Sequence, residues 1–248
     1  FHMWTPDVYE GSPTSVTSFF AIVPKIAGIA VFIRFMYSPF QNILDQWQYI
    51  LVFISIASMI LGAVAAINQK NIKRLIAYSS ISHMGYAIAG ISTGTESGFK
   101  STMIYILIYS AMNIGFFAFV FLMKRSGKYV EEINELSGIS KNHPLAALSL
   151  LIVLFSLAGI PPLAGFFAKF YIFMSVIESG MYALAIIGLV TTVVSAFYYI
   201  RIVKVMYFDS PKKPFENFKN YGVYGSLIFS CICLLYTSDA ADEGLGVD

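Results

Sequence analysis

The chain has 248 residues, 57% of them hydrophobic and only 12% charged, with a formal net charge of +2. Soluble domains carry roughly 25% charged residues, so this composition argues against a water-soluble fold and for a membrane protein. Two cysteines, Cys231 and Cys233, cannot supply the four ligands that an iron–sulfur cluster takes, and in a late apolar run they read as small buried hydrophobes. No P-loop is present, nor a G-x-G-x-x-G after a strand, so nucleotide binding has no support.

The chain opens at Phe1 without the charged and short apolar regions of a signal peptide, and is expected to start within a longer protein. Everything before Ser15 reads as a polar leading loop, with Asp7 and Glu10 beside Pro6 and Gly11. Seven apolar segments follow, at about 17–37, 49–68, 74–93, 99–124, 145–176, 182–207 and 221–236. Their lengths lie near the ~20 residues that a helix needs to cross a bilayer, so each is expected to be a span. Long connections fall at 125–144, which carries Glu131, Glu132 and Glu135 as a solvated face or short surface helix, and at 208–220.

In the first span Lys25 stands nine residues from the start, about 13 Å along a helix. That depth puts its ammonium beyond easy snorkelling, at a cost of at least ~2.5–3.5 kcal/mol. Two readings stand: a proton relay, or a structural lysine paired with a carboxylate on another span. The third span carries Ser79, His83, Tyr86 and Gly90 at helical spacing as a polar stripe. His83 there is either a proton-passing group or a packing residue hydrogen-bonded to a neighbour. Ser110 and Asn113 in the next span either extend a hydrated path or join helices.

The segment at 145–176 would make a continuous helix of about 48 Å, longer than a ~30 Å hydrocarbon core. Within it, LAGIPPLAGFFAKF places Pro161 and Pro162 between Gly159 and Gly165, which predicts a break near 160–165. Broken helices at membrane depth line polar cavities and build ion sites in transporters, which would set Lys169 facing such a cavity; a simple proline kink is the other reading. No Asp or Glu lies mid-span, so any carboxylate partner for either lysine must come from outside the sequence.

Basic residues collect on the cytoplasmic side of membrane proteins. With these segments one face receives Lys70, Lys73, Arg74, Lys124, Arg125, Lys128, Lys141, Arg201, Lys204, Lys212, Lys213 and Lys219, and the other only Arg34 and Lys100. The leading loop and both long connections are therefore expected in the cytoplasm. Lys25 and Lys169 remain as the two basic residues inside spans.

The strings FHMWTPDVYEGSPT, PKIAG, NIKRLIAYSSISHMGYAIAG and LSLLIVLFSLAGIPPLAGFFAKFYIF closely resemble the antiporter-like membrane subunits of bacterial NADH-quinone oxidoreductase (respiratory complex I), in the wording of the subunit N branch. The resemblance runs from Phe1 to about residue 230 and implies an all-α polytopic bundle of two inverted five-helix repeats, each with a discontinuous helix, of which this chain holds roughly the C-terminal half. On that basis residues 1–16 end the first broken helix, 17–48 hold the last helix of the first repeat and its loop, and 49–207 form the second repeat. Residues 208–236 would be a cytoplasmic loop and a truncated final span, and the acidic stretch 237–248 a tail foreign to the family. Lys25 matches the family's central lysine and Lys169 the lysine of the second broken helix, while His83 falls in a family-like string. The input half of the path would lie upstream.

The resemblance further implies a proton-translocating subunit in the bacterial cytoplasmic (inner) membrane, partnered by other membrane-arm subunits and by lipid, with no nucleic acid. It implies no cofactor in this chain; FMN, iron–sulfur clusters and quinone belong to other subunits of the complex. The alternatives are a subunit of a multi-subunit cation/proton antiporter, which shares the ancestry, and a passive helical scaffold.

Overall fold

A computed structural model describes residues 3–40, 43–125, 128–212, 214–216 and 221–244, with side chains described up to Tyr236 and not at Lys128. The chain is almost wholly helical: α1 (Thr5–Gly11), α2 (Thr14–Tyr37), α3 (Leu44–Ile67), α4 (Ile72–Ser92), α5 (Glu96–Leu122), α6 (Ile139–Asn142), α7 (Pro144–Ala158), α8 (Ala164–Glu178), α9 (Tyr182–Phe208) and α10 (Tyr221–Gly244). A two-residue hairpin, β1 (Lys124–Arg125) with β2 (Lys128–Tyr129), and a 3₁₀ turn at Ile133–Leu136 fill the connection between α5 and α6. Among the described residues α2, α3, α5 and α9 are long and apolar enough to cross a membrane.

The seven expected spans all appear as helices, but not all as single apolar ones. Helix α4 is too polar to join those four, and it is also the hub, packing on α1, α2, α3, α5, α8 and α9 with 18 of its 21 residues buried. Its serines and histidine therefore face protein instead of lipid, which is where an intramembrane polar group avoids the cost of hydrocarbon. Close approach of α3 and α4 rests on two glycines: a Cβ at Gly62 would fall 2.5 Å from the Ser82 nitrogen, and one at Gly85 2.7 Å from Met59 Cγ. Small residues at such crossings let backbones approach and form interhelical bonds, here Ser55 Oγ to the Gly85 carbonyl at 2.7 Å.

The expected break lies between α7 and α8, each 15 residues long. Helix α7 ends at Gly159 with φ +82°, and the amides of Gly159 and Ile160 fold back onto the carbonyls of Ser156 and Phe155, a glycine stop that only a residue without Cβ adopts cheaply. Pro161 and Pro162 then prevent the helix from restarting until Ala164.

Several edges differ from the sequence reading. The leading loop contains α1, whose Tyr9 is fully buried, so Asp7 and Glu10 are helical and not loop residues. Both reach Arg74 on α4, at 3.3 and 2.6 Å; Pro6 in the first turn is a helix-start signal. The acidic connection is likewise paired instead of merely solvated. Glu131 meets Lys73 at 2.5 Å and Glu135 bridges Arg125 and Lys212. Lys73 itself is buried and also donates to the Ser12 carbonyl at 3.0 Å. Helix α10 continues in backbone past Tyr236 to Gly244 instead of stopping at about 236, while the side chains of the tail at 237–248, and Lys213 and Lys219, lie outside the described residues.

Candidate functional site

The three residues singled out by sequence converge around α4. Lys25, on α2, points into the junction of α1, α2 and α5, where its Nζ lies 5.3 Å from the Tyr9 ring centre, 5.8 Å from that of Tyr109, and 3.5 Å from the Tyr109 hydroxyl. It is buried, and it forms the charged wall of an otherwise mostly apolar cavity of about 460 Å³ between α2, α3 and α4. Aromatic faces attract a cation through their quadrupole and do so most strongly where water is excluded.

Lys169, on α8, turns back to the helix break. Its Nζ donates to the carbonyls of Leu157 and Ala158 at 2.9 and 3.1 Å and lies 5.3 Å from the centre of the Tyr86 ring. Those carbonyls belong to the last residues of α7, which a helix end leaves without intrahelical donors, and the end itself carries partial negative charge. The break thus supplies Lys169 with acceptors that no acidic side chain provides. Among the described residues neither lysine has a carboxylate within salt-bridge distance.

His83 stands between the two. Its ring centre is 5.0 Å from that of Tyr109, on the Lys25 side, and 6.0 Å from that of Tyr86, on the Lys169 side. Both ring nitrogens are engaged, Nδ1 with the Tyr105 hydroxyl at 2.6 Å and Nε2 with the Tyr199 hydroxyl at 3.3 Å. The Tyr109 hydroxyl shares a 2.7 Å bond with Ser80, and Tyr199 shares one with Ser79. Tyr86 is held by Thr191 and Thr192 of α9 at 3.3 and 3.1 Å. Phenols, hydroxyls and a neutral imidazole each donate and accept, so each bonded pair can shift a proton, while among the described residues His83 meets Tyr109 and Tyr86 by ring contact and not by a hydrogen bond. Gly90 of the stripe, and Ser110 and Asn113 of α5, do other work. Gly90 lets α5 approach, since its Cβ would meet Thr102 Oγ1 at 2.3 Å, Ser110 bonds its own helix at Leu107, and Asn113 donates to the Tyr109 carbonyl at 2.8 Å.

Residues 1–195 match a family model described as NADH:quinone oxidoreductase/Mrp antiporter, TM. The chain belongs to this family. It is 63% identical over 235 residues, 95% of its length, to NADH-quinone oxidoreductase subunit N of Pelagibacter ubique, and 56% identical over 215 residues to the protein of that name in Parvibaculum lavamentivorans. It covers 50% and 44% of those two relatives, so it spans about half the length of the curated proteins it matches. Among solved structures, a chain of respiratory complex I from Thermus thermophilus with bound aureothin aligns at a TM-score of 0.81 and 32% identity, covering 96% of this chain and 52% of that one. A chain of the Mrp complex from Dietzia aligns at 0.75 and 23% identity over 84% of this chain and 39% of that one, and shows a shared fold alone.

Membership in the antiporter-like family and a multi-pass membrane architecture are thus as the motifs implied. Of the tyrosines lying among the three sites, Tyr86 belongs to the stripe legible in the sequence, while Tyr105, Tyr109 and Tyr199 do not stand out there. Tyr105 and Tyr109 are four apart and share a helix face, the one signal available, yet their partners lie 22 and 29 residues upstream on α4.

Proposed function

We propose that the full-length protein is the proton-translocating membrane subunit of a bacterial NADH-quinone oxidoreductase, and that Lys25, His83 and Lys169 carry protons through this half of it. One observation carries the reading: two buried lysines on different helices, neither paired with a carboxylate among the described residues, each pack on a tyrosine that in turn packs on one doubly hydrogen-bonded histidine. A charge placed on one lysine disfavours a charge on a nearby one, so gain of a proton at Lys25 favours its release from Lys169, with His83 and the tyrosines between them. FMN, iron–sulfur clusters and quinone would sit in partner subunits, and the bacterial inner membrane is the setting. In this reading α2 closes the first repeat and α3 to α9 make the second, with the basic face cytoplasmic.

The cation/proton antiporter reading shares the family model, but the high-identity relatives carry the oxidoreductase name, whereas the Mrp likeness is one of fold. The decisive experiment places Lys25→Ala and Lys169→Ala in the full-length subunit of the assembled complex and measures NADH-driven acidification of membrane vesicles. Loss of pumping with assembly retained supports the relay; unchanged pumping in both variants ends it.

A further inference from the structure

His83 has a second connection that the path between the lysines does not use. Its Nε2 is bonded to Tyr199 of α9, and Tyr199 in turn to Ser79, one turn of α4 nearer the face that carries Asn71, Arg74 and Arg201. Beside this pair lie two more buried hydroxyls, of Tyr198 and Ser195; that of Tyr198 approaches Ser195, Tyr199 and Ser79, and neither hydroxyl completes a hydrogen bond of good geometry. The rings of Tyr198 and Tyr199 are 4.5 Å apart. Buried hydroxyls are nearly always satisfied, and where protein supplies no partner an ordered water does. The hydroxyls of Ser79 on α4 and of Tyr199, Tyr198 and Ser195 on α9, two bonded to each other and two without a well-formed bond, form a polar niche that a water can bridge with the several bonds such a water requires.

From this geometry we infer that Tyr199, Ser79, Tyr198 and Ser195 hold water as a branch of the relay, through which His83 exchanges protons with the basic face without passage through Lys25. The inference rests on the proposed function above. In the transfer step the Tyr199 hydroxyl gives its proton to a neutral His83 Nε2 as it takes one from the bridging water, directly or through Ser79. That water is carrying the excess proton delivered from the basic face, so it and Ser79 are left neutral and the positive charge ends on His83. The O–H bond broken is replaced by one formed, and no charge stays on the phenol. Tyr199 is thus a relay residue for His83. Tyr198 and Ser195 are positioning residues for the water.

The test uses the full-length subunit in the assembled complex, with Tyr199→Phe, Ser195→Ala and, as reference, Lys25→Ala and Lys169→Ala. Tyr199→Phe keeps the ring and its packing and removes one oxygen. The branch predicts vesicle acidification slowed about tenfold, short of the ~10²-fold or more that a positioned proton-transfer group contributes, with an altered solvent deuterium isotope effect that a packing defect does not produce. It also predicts that Ser195→Ala slows acidification in the same direction. Lysine variants that lose pumping beside a Tyr199→Phe variant with normal rate and isotope effect overturn the branch and leave the relay standing. Lysine variants that pump normally overturn both. A high-resolution map of the complex with ordered density within hydrogen-bond distance of Tyr198 and Ser195 supports the water site, and a dry niche there overturns it.

Discussion

Lys169 Nζ lies 2.9 Å from the carbonyl oxygen of Leu157, twelve residues back across the break. A single side chain thereby serves both as the cap of α7 and as the titratable group beside Tyr86, so cap and relay can be separated by substitution. Lys169→Ala leaves two buried carbonyls without donors, at a cost of about 1–3 kcal/mol. Lys169→Arg supplies donors and a charge that does not leave at any attainable pH. We expect Lys169→Arg to retain more thermal stability of the detergent-solubilised complex than Lys169→Ala, and both to lose pumping. Normal pumping with arginine would show that proton exchange at this position is not required.

The two halves of the broken helix touch where Gly165 meets Ser156. A Cβ at Gly165 would lie 1.9 Å from the Ser156 carbonyl oxygen, and the Gly165 amide donates to Ser156 Oγ at 3.1 Å. Gly165→Ala must push α8 away from α7 and should destabilise the subunit by about 1–3 kcal/mol, the range for overpacking. Gly28, on α2, has no atom within 4 Å of its would-be Cβ. There Gly28→Ala should be neutral or stabilising by up to ~1 kcal/mol from helix propensity. Thermal unfolding of the two variants in detergent compares them directly.

These contrasts show what the sequence can and cannot carry. Lys25 and Lys169 were legible because a charge within an apolar run is conspicuous in one dimension, and the break because Pro161 and Pro162 remove two successive backbone donors between two glycines. Tyr105 and Tyr199 were not, because a tyrosine in a span looks the same whether it anchors at an interface or bonds a histidine. Tyr199 and His83 are separated by 116 residues, and only the fold makes them neighbours. The same holds for Glu131. As a member of an acidic loop it reads as solvated, and its partner Lys73 is 58 residues away in sequence and buried.

The loop between α5 and α6 is pinned by Glu135, which accepts from Lys212 at 2.8 Å and from Arg125. The Lys212 bond first, then the Arg125 bond, hold its carboxyl below the usual glutamate range. A depressed carboxyl pKa gives stability that is present above the unfolded value, near 4.3, and is lost as pH falls through the lower folded value. Protection of the Ile139–Asn142 amides, the exchange rate taken relative to the intrinsic rate at each pH, should therefore be unchanged from neutrality down to about pH 5 and fall only in stronger acid. In Glu135→Gln it should already be low at neutral pH. Equal protection in both proteins would show that the ion pairs do not pin the loop.

Tyr9 and Tyr109 both present a ring to Lys25, at 5.3 and 5.8 Å, but only the Tyr109 hydroxyl continues the network, to Lys25 at 3.5 Å and Ser80 at 2.7 Å. The Tyr9 hydroxyl is buried near Ser80 but forms no hydrogen bond of good geometry. Replacing either by phenylalanine keeps the aromatic face over the ammonium, so the cation–π attraction, about 0.5–2 kcal/mol, survives in both. If that attraction is all the tyrosines provide, the two variants behave alike. If Tyr109 passes protons from Lys25 toward His83, Tyr109→Phe slows acidification of vesicles severalfold, while Tyr9→Phe, which removes an unsatisfied buried hydroxyl, pumps normally and is at least as stable. Pumping rates of the two variants, normalised to assembled complex, separate a chemical role from a packing one at the same lysine.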